Sequence, residues 1–121
     1  MKVLLVNGGA HPKGCTNRAL EEVEKALKEE GIETLIYHIP NVPLQDCIAC
    51  NTCAKAGKCV FEDAVNEAAL KFEKSDGLVV ASPVYYASAN ATLIAYLTRL
   101  FYSTHFDKSM KVGAAVAVAR R

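Results

Sequence analysis

Four of the five cysteines in this sequence are close together along the chain: Cys47, Cys50, Cys53 and Cys59. We call residues 47–59 the cysteine segment. Four thiolates at such short spacing can surround one metal centre, and the first three have the C-x2-C-x2-C spacing of [4Fe–4S] ligands. The fourth does not follow the bacterial ferredoxin spacing. A structural zinc site, a redox dithiol and four cysteines that bind nothing are therefore alternatives.

A glycine-rich loop at residues 7–17, here called the phosphate loop, follows an apolar run at the N-terminus. Its glycines allow successive backbone N–H groups to converge on an anion, and the following helix adds free N–H donors and the positive end of its dipole. The spacing fits neither G-x-G-x-x-G nor G-K-[ST], which argues against a dinucleotide site and a P-loop. An ordinary βα turn is the alternative. The residues expected to contact the anion are Gly9, Ala10, His11, Gly14, Cys15, Thr16 and Asn17.

Cys15 lies apart from the cysteine segment. We expect it to pack against its neighbours rather than to bind a metal.

A third candidate segment, residues 81–91, contains two adjacent tyrosines followed by small residues. Tyr85 and Tyr86 can frame a flat aromatic ligand while backbone amides reach its polar edge. The alternative is that one of the two tyrosines simply covers the core. His38 and His105 have no visible acid or nucleophile partner, and we expect both to be ordinary surface residues. No side-chain acid or base emerges from the sequence.

Short apolar runs alternate with helical patterns along the whole chain. Residues 3–6, 77–81 and 112–118 read as strands buried on both faces, and residues 32–39 alternate as an edge strand does. Helical stripes cover residues 16–30, 64–72 and 92–102. Gly31 fits the C′ position of the first helix, and Asp63 fits the N-cap of the second.

This order predicts an α/β fold with a parallel sheet, helices on both faces and a binding crevice at the carboxyl ends of the strands. We expect one domain over residues 1–121, with a cysteine-rich loop at residues 40–62, and a flavodoxin-like strand order of 2-1-3-4. A flavodoxin-like sheet has five strands. The fifth is therefore expected to be missing, which would leave an open sheet edge.

Composition excludes several classes of function. The chain has 121 residues, of which 51% are hydrophobic, and a formal net charge of +1. Such a balance gives no electrostatic reason to bind nucleic acid or an anionic membrane. No apolar run approaches the ~20 residues of a membrane span, and no secretion signal is visible. We expect a soluble cytoplasmic protein, in which disulfides are disfavoured.

Together these motifs resemble the flavodoxin-like NADPH-dependent FMN reductase family, and within it the iron–sulfur flavoproteins. The resemblance rests on residues 7–16, 47–61 and 82–86, and it covers about the first two-thirds of a typical member. It implies non-covalent FMN, with its phosphate in the phosphate loop. The residues that the resemblance places against the isoalloxazine are Pro83, Val84, Tyr85, Tyr86, Ala87, Ala119, Arg120 and Arg121.

The resemblance also implies an activity and partners. FMN would accept a hydride from NAD(P)H and pass electrons to a small acceptor such as a flavin or quinone. The four cysteines of the cysteine segment would hold a [4Fe–4S] cluster close to the flavin, in a homodimer or homotetramer. An electron-transfer module that serves a partner protein and a non-catalytic binding domain are the alternatives.

The sequence departs from the family at Gly9-Ala10, where members commonly have Ser-Pro. Without that hydroxyl, the phosphate would depend on backbone amides, Thr16 and Asn17.

Overall fold

A computed structural model describes residues 1–120 of the chain; Arg121, expected beside the isoalloxazine, lies outside the described residues. The secondary-structure elements, in chain order, are β1 (Lys2–Asn7), α1 (Cys15–Glu29), β2 (Glu33–His38), α2 (Cys53–Ala56), α3 (Ala64–Glu73), β3 (Gly77–Pro83), α4 (Ala91–Ser103) and β4 (Val112–Val118). The short helix α2, inside the cysteine segment, is an element that the hydrophobic pattern did not reveal.

The four strands form one parallel sheet in the order β2-β1-β3-β4. This confirms the predicted strand order and the predicted edge position of β2. Because all strands run the same way, the loops that follow β1, β3 and β4 begin at one edge of the sheet.

Each face of the sheet has its own core. On one face α1 contributes Leu20 to a core with Leu5 and Val79 of the central strands. On the other face α3 and α4 contribute Phe72 and Tyr96, among others, to the larger core. Helices on both faces are what alternating strands and helices predict.

Two predicted helix boundaries are confirmed. The Asp63 side chain accepts a hydrogen bond from the backbone N–H of Val65 at 3.1 Å, as an N-cap residue does. Gly31, just beyond α1, has a φ of +73°, the left-handed conformation that favours glycine after a helix.

The prediction that β4 is buried on both faces is wrong. Val112 is 63% exposed, and residues 113–115 are exposed as well. Within residues 1–120, β4 pairs only with β3 and therefore forms a sheet edge. Its continuous apolar pattern resembled that of a central strand, although its residues are mostly small.

Within residues 1–120, no helix combines the length and the apolar character needed to cross a membrane.

Candidate functional site

The structure brings the predicted ligand-binding segments together at the carboxyl edge of the sheet. The phosphate loop follows β1, residues 84–87 follow β3, and Ala119 and Arg120 follow β4. Pro83 pairs in register with Val118, and the Val84 N–H donates to the Val118 carbonyl at 2.9 Å. The ends of β3 and β4 are therefore joined beside each other, as the assignment of both to one ligand requires.

The N-terminus of α1 differs from those of α3 and α4. Its N-cap residue is Gly14, which makes no side-chain hydrogen bond to the first turn. Asp63 caps α3 and Asn90 caps α4, each through its side-chain oxygen. Since the first N–H groups of a helix have no partner within it, the first turn of α1 keeps donors that an anion can use, and the helix dipole favours negative charge there.

Close packing explains Gly8 and Gly9 in the phosphate loop. A Cβ added at Gly8 would lie 2.9 Å from Leu93 Cβ and 3.0 Å from the Ala81 carbonyl oxygen. A Cβ at Gly9 would lie 3.1 Å from Thr16 Cβ. Glycine thus lets the loop lie against β3, α4 and the first turn of α1.

The phosphate loop is also held by polar side chains. Buried Asn7 accepts a hydrogen bond from the Gly9 N–H at 2.8 Å and donates to Asn17 Oδ1 at 3.2 Å. Asn17 Nδ2 in turn donates to Glu21 at 2.7 Å. The side chain of Asn17 is thus occupied within the protein, which leaves its backbone N–H and the neighbouring Thr16 as the groups available for a phosphate.

His38 is not an ordinary surface residue, contrary to the prediction. It is half-buried, and its Nε2 donates to the Gly9 carbonyl oxygen at 2.7 Å. Its position at the carboxyl end of β2, next to β1, was the signal that could have linked it to the phosphate loop. His105 is exposed, as predicted.

Asn90, which was not identified from the sequence, joins the loops that follow β1 and β3. Its Oδ1 accepts from the Leu93 N–H at 3.2 Å, its Nδ2 donates to the Gly8 carbonyl oxygen, and its N–H donates to Ser82 Oγ at 3.0 Å. An asparagine directly before a predicted helix is a typical N-cap, and that signal could have identified it.

Neither tyrosine of the third segment covers the core. Tyr85 is 65% exposed and Tyr86 is 97% exposed, so the alternative role as a core-covering aromatic is wrong. Ala87, which follows the two tyrosines and precedes α4, has a φ of +55°. Both rings are accessible beside the ends of β3 and β4.

The remaining residues of the phosphate loop lie at the surface. His11 is exposed and Ala10 is half-buried. Cys15 is exposed at the first position of α1, so the expectation that it packs against its neighbours is wrong.

The four cysteines of the cysteine segment line a single pocket against the C-terminal half of α4. Cys53 is buried, Cys47 and Cys59 are half-buried, and Cys50 is exposed. The Ala49 N–H donates to Cys47 Sγ at 3.4 Å. Sequence spacing therefore identified four side chains that the fold directs to one place.

Arg99 of α4 lies at the centre of this region and was not identified from the sequence. It is 1% exposed, and two of its nitrogens donate to the Asp63 carboxylate at 2.7 and 2.9 Å. The same guanidinium donates to the carbonyls of Gln45 at 3.0 Å and Phe61 at 3.3 Å. It thereby ties together the chain before the first cysteine and after the last.

Arg99 also contacts a candidate ligand directly. Its Nε donates to Cys59 Sγ at 3.3 Å. Burial lowers the pKa of Arg99, but hydrogen bonds to Asp63 and Cys59 raise it more, so the net pKa lies above its ordinary value and the group is charged.

A side chain of α3 holds the backbone at Cys59 through two hydrogen bonds. Asn66 accepts from the Cys59 N–H and donates to the Cys59 carbonyl, both at 3.0 Å. At exposed Cys50, hydrogen bonds from the Thr52 side chain and backbone lower the thiol pKa.

The cysteine pocket offers four sulfur donors of the kind that an iron–sulfur cluster takes. Within residues 1–120, no three His, Cys, Asp or Glu side chains form a group that could hold a metal ion. Ser103 also lines the pocket, and its buried hydroxyl has no hydrogen-bond partner in the protein. A cluster sulfur would supply that acceptor.

Sequence comparisons identify a protein family and several relatives that this chain resembles. The model of a protein family described as NADPH-dependent FMN reductase matches residues 1–121. An iron–sulfur flavoprotein of Methanocaldococcus jannaschii is 38% identical over 119 residues, covering 98% of this chain and 62% of that protein. One of Methanosarcina thermophila is 32% identical over 120 residues, covering 98% and 63%. The chain therefore spans less than two-thirds of the length of these relatives.

Solved structures share the fold. An NADH:FMN oxidoreductase in its apo form superposes with a TM-score of 0.70 at 20% identity, covering 99% of this chain and 59% of that one. A flavoenzyme NAD(P)H:(acceptor) oxidoreductase from Paracoccus denitrificans gives a TM-score of 0.63 at 18% identity, covering 96% and 59%.

Proposed function

Because the chain belongs to the NADPH-dependent FMN reductase family, we propose that it forms the FMN-binding part of an oxidoreductase. In this proposal NAD(P)H supplies the electrons, and a small acceptor such as a flavin or quinone receives them. The observation that carries the proposal is the uncapped N-terminus of α1 at the edge where the ends of β1, β3 and β4 meet.

The phosphate of FMN would be held mainly by the backbone. The first-turn N–H groups of α1 are its donors, and Thr16 adds a hydroxyl beside Gly9. His38 and Asn90 would act indirectly, because each bonds a carbonyl of the phosphate loop and so fixes the loop's conformation. This arrangement offsets the missing hydroxyl at Gly9.

The isoalloxazine would lie against residues 83–87 and the chain after β4. Tyr85 and Tyr86 offer exposed rings there, and Arg120 offers a positive charge. When bound, FMN supplies the chemistry by accepting a hydride from NAD(P)H, while the protein supplies orientation and electrostatics. No acid or base of the chain is required for that step.

We assign the four cysteines to a [4Fe–4S] cluster, which would transfer single electrons. The relatives named iron–sulfur flavoproteins support this assignment, as does the shared pocket. Cys50 and the neighbouring Ile48 are exposed, so the pocket is near the surface. That exposure favours a second candidate function, an electron-transfer module that serves a partner protein without its own NAD(P)H turnover.

The proposal includes a homodimer or homotetramer in the cytoplasm. This part of the proposal rests on membership of the family.

Anaerobic reduction separates the two candidate functions. FMN-loaded protein is mixed with NADPH or NADH, and the visible flavin absorbance is followed. A reductase loses that absorbance with at least one of the nucleotides. If dithionite or a reduced ferredoxin bleaches the flavin but neither nucleotide does, the reductase proposal fails and the electron-transfer module takes its place. Protein that stays colourless after FMN is added contradicts both.

A further inference from the structure

Two polar side chains of α4 lie one helical turn apart, and both line the pocket of the four cysteines. They are Arg99 and Ser103, of which 1% and 3% respectively are exposed. Both side chains are therefore shielded from water, where hydrogen-bond donors have their largest electrostatic effect.

The donor of Arg99 is held in a defined direction. Two bonds to the Asp63 carboxylate and bonds to the carbonyls of Gln45 and Phe61 occupy the two terminal nitrogens of the guanidinium. The ring of Phe61 also lies 5.1 Å from the guanidinium carbon. The remaining donor, Nε, is directed at Cys59 Sγ at 3.3 Å. The ion pair thus fixes the guanidinium, and the sulfur receives the one donor left over.

The donor of Ser103 has no partner in the protein. A buried hydroxyl without a partner costs free energy, and native proteins contain few of them. Tyr96, also on α4, is the other buried residue of this kind within the described chain, but it lies in the core between sheet and helix rather than at the cysteines. The hydroxyl of Ser103 is therefore free to donate to an acceptor that comes with the ligand of the pocket.

We propose that Arg99 and Ser103 donate hydrogen bonds to sulfur atoms of the iron–sulfur centre and thereby raise its reduction potential. This inference rests on the cluster assigned to the four cysteines above. Reduction adds one electron and hence negative charge to the sulfurs, so a donor stabilises the reduced state more than the oxidised state. Removing a donor should lower the potential.

The first test compares Ser103→Ala with Tyr96→Phe. Each substitution removes one unpartnered buried hydroxyl from α4, so neither should destabilise the protein. The cluster is reconstituted anaerobically in full-length protein, and its midpoint potential is measured by dithionite titration with mediators. For Ser103→Ala, we expect the reduced-to-oxidised ratio at a fixed potential to fall roughly threefold, which is about 28 mV for a one-electron couple. Tyr96→Phe should leave the potential at the wild-type value.

The second test replaces Arg99. Arg99→Lys keeps a positive charge for Asp63 but loses the planar set of donors, and we expect the same ratio to fall roughly tenfold, or about 59 mV. Arg99→Gln should also reduce the iron and sulfide retained per chain, because Asp63 then lacks its charged partner. If Arg99→Lys retains more iron than Arg99→Gln, the positive charge at position 99 is what holds the cysteine segment in place.

The outcomes of these tests distinguish a failure of this inference from a failure of the cluster assignment on which it rests. If wild-type protein binds no iron and sulfide, the cluster assignment fails and this inference fails with it. If wild type binds the cluster but Ser103→Ala and Arg99→Lys keep its potential, only the inference is overturned. An equal potential change in Tyr96→Phe and Ser103→Ala would also overturn it, since general repacking of α4 would then be the cause.

Discussion

The phosphate loop and the cysteine segment are both irregular, but different forces order them. The phosphate loop is shaped by close packing of its glycines and by hydrogen bonds to its backbone, and it leads into the uncapped N-terminus of α1. The cysteine segment is organised by one buried ion pair, Arg99–Asp63, which also holds the flanking Gln45 and Phe61 carbonyls. The order of the phosphate loop thus depends on close packing and neutral hydrogen bonds, whereas that of the cysteine segment depends on a buried pair of charges.

Helix α4 contacts both regions and links them. Its N-cap Asn90 bonds the Gly8 carbonyl, and Arg99, nine residues later, bonds Cys59. At a rise of 1.5 Å per residue these two anchors are about 14 Å apart along the helix. The two regions therefore depend on one element but can be perturbed separately by substitution.

The largest loss in the free energy of unfolding should come from a substitution that breaks the Arg99–Asp63 ion pair. Asp63→Ala leaves a buried guanidinium unpaired and removes the N-cap of α3, and we expect a loss of about 3 kcal/mol in the free energy of unfolding. Urea denaturation measures it. Asp63→Asn is the matched control, because it retains a capping oxygen and loses only the charge. A loss below about 1 kcal/mol for Asp63→Ala would contradict the central role of the pair.

A smaller effect is expected from Gly8→Ala in the phosphate loop. The added Cβ would meet Leu93 Cβ at 2.9 Å and the Ala81 carbonyl oxygen at 3.0 Å, neither of which moves easily, and overpacking of this kind costs about 1–3 kcal/mol. Gly113→Ala is the control, since nothing lies within 4 Å of its added Cβ. Urea unfolding of both variants checks the prediction; equal stabilities would show that close packing does not shape the loop.

The smallest effect is on ligand affinity. Thr16→Ala removes the hydroxyl beside Gly9 while the backbone donors remain, and we expect FMN to bind roughly fivefold more weakly, as for one lost hydrogen bond. Quenching of flavin fluorescence gives the dissociation constant, and Thr16→Ser should bind as wild type does. Unchanged affinity in Thr16→Ala would remove the role assigned to that hydroxyl and leave the backbone alone.

The sequence predicts the features that depend on local patterns and on the rules for parallel sheets, and it does not predict those that depend on distant contacts. Strand order, the edge position of β2 and the convergence of three loops follow from hydrophobic periodicity and the rules for parallel sheets, together with the family resemblance. The exposure of β4 does not follow, because burial depends on neighbours that the strand's own residues do not specify. Its run of small apolar residues is the same whether the strand is covered or not.

The unpredicted parts of the site are contacts across long stretches of chain. Arg99 and Cys59 are 40 positions apart, and no local pattern pairs them. A local signal did exist: Arg99 lies on the apolar stripe of α4, three residues after buried Tyr96, and a buried arginine requires an anionic partner. This local signal shows that Arg99 needs an anionic partner, but only the fold identifies Asp63 as that partner.

The measurement that most directly tests the account is an anaerobic visible spectrum of the purified chain, reconstituted with FMN, iron and sulfide and analysed for all three. We expect bound flavin together with iron and sulfide at the stoichiometry of one [4Fe–4S] cluster per chain. The spectrum should show flavin bands with a broad shoulder that bleaches on reduction. Flavin bands alone, with no retained iron or sulfide, would contradict the assignment of the cysteine segment while leaving the phosphate loop intact.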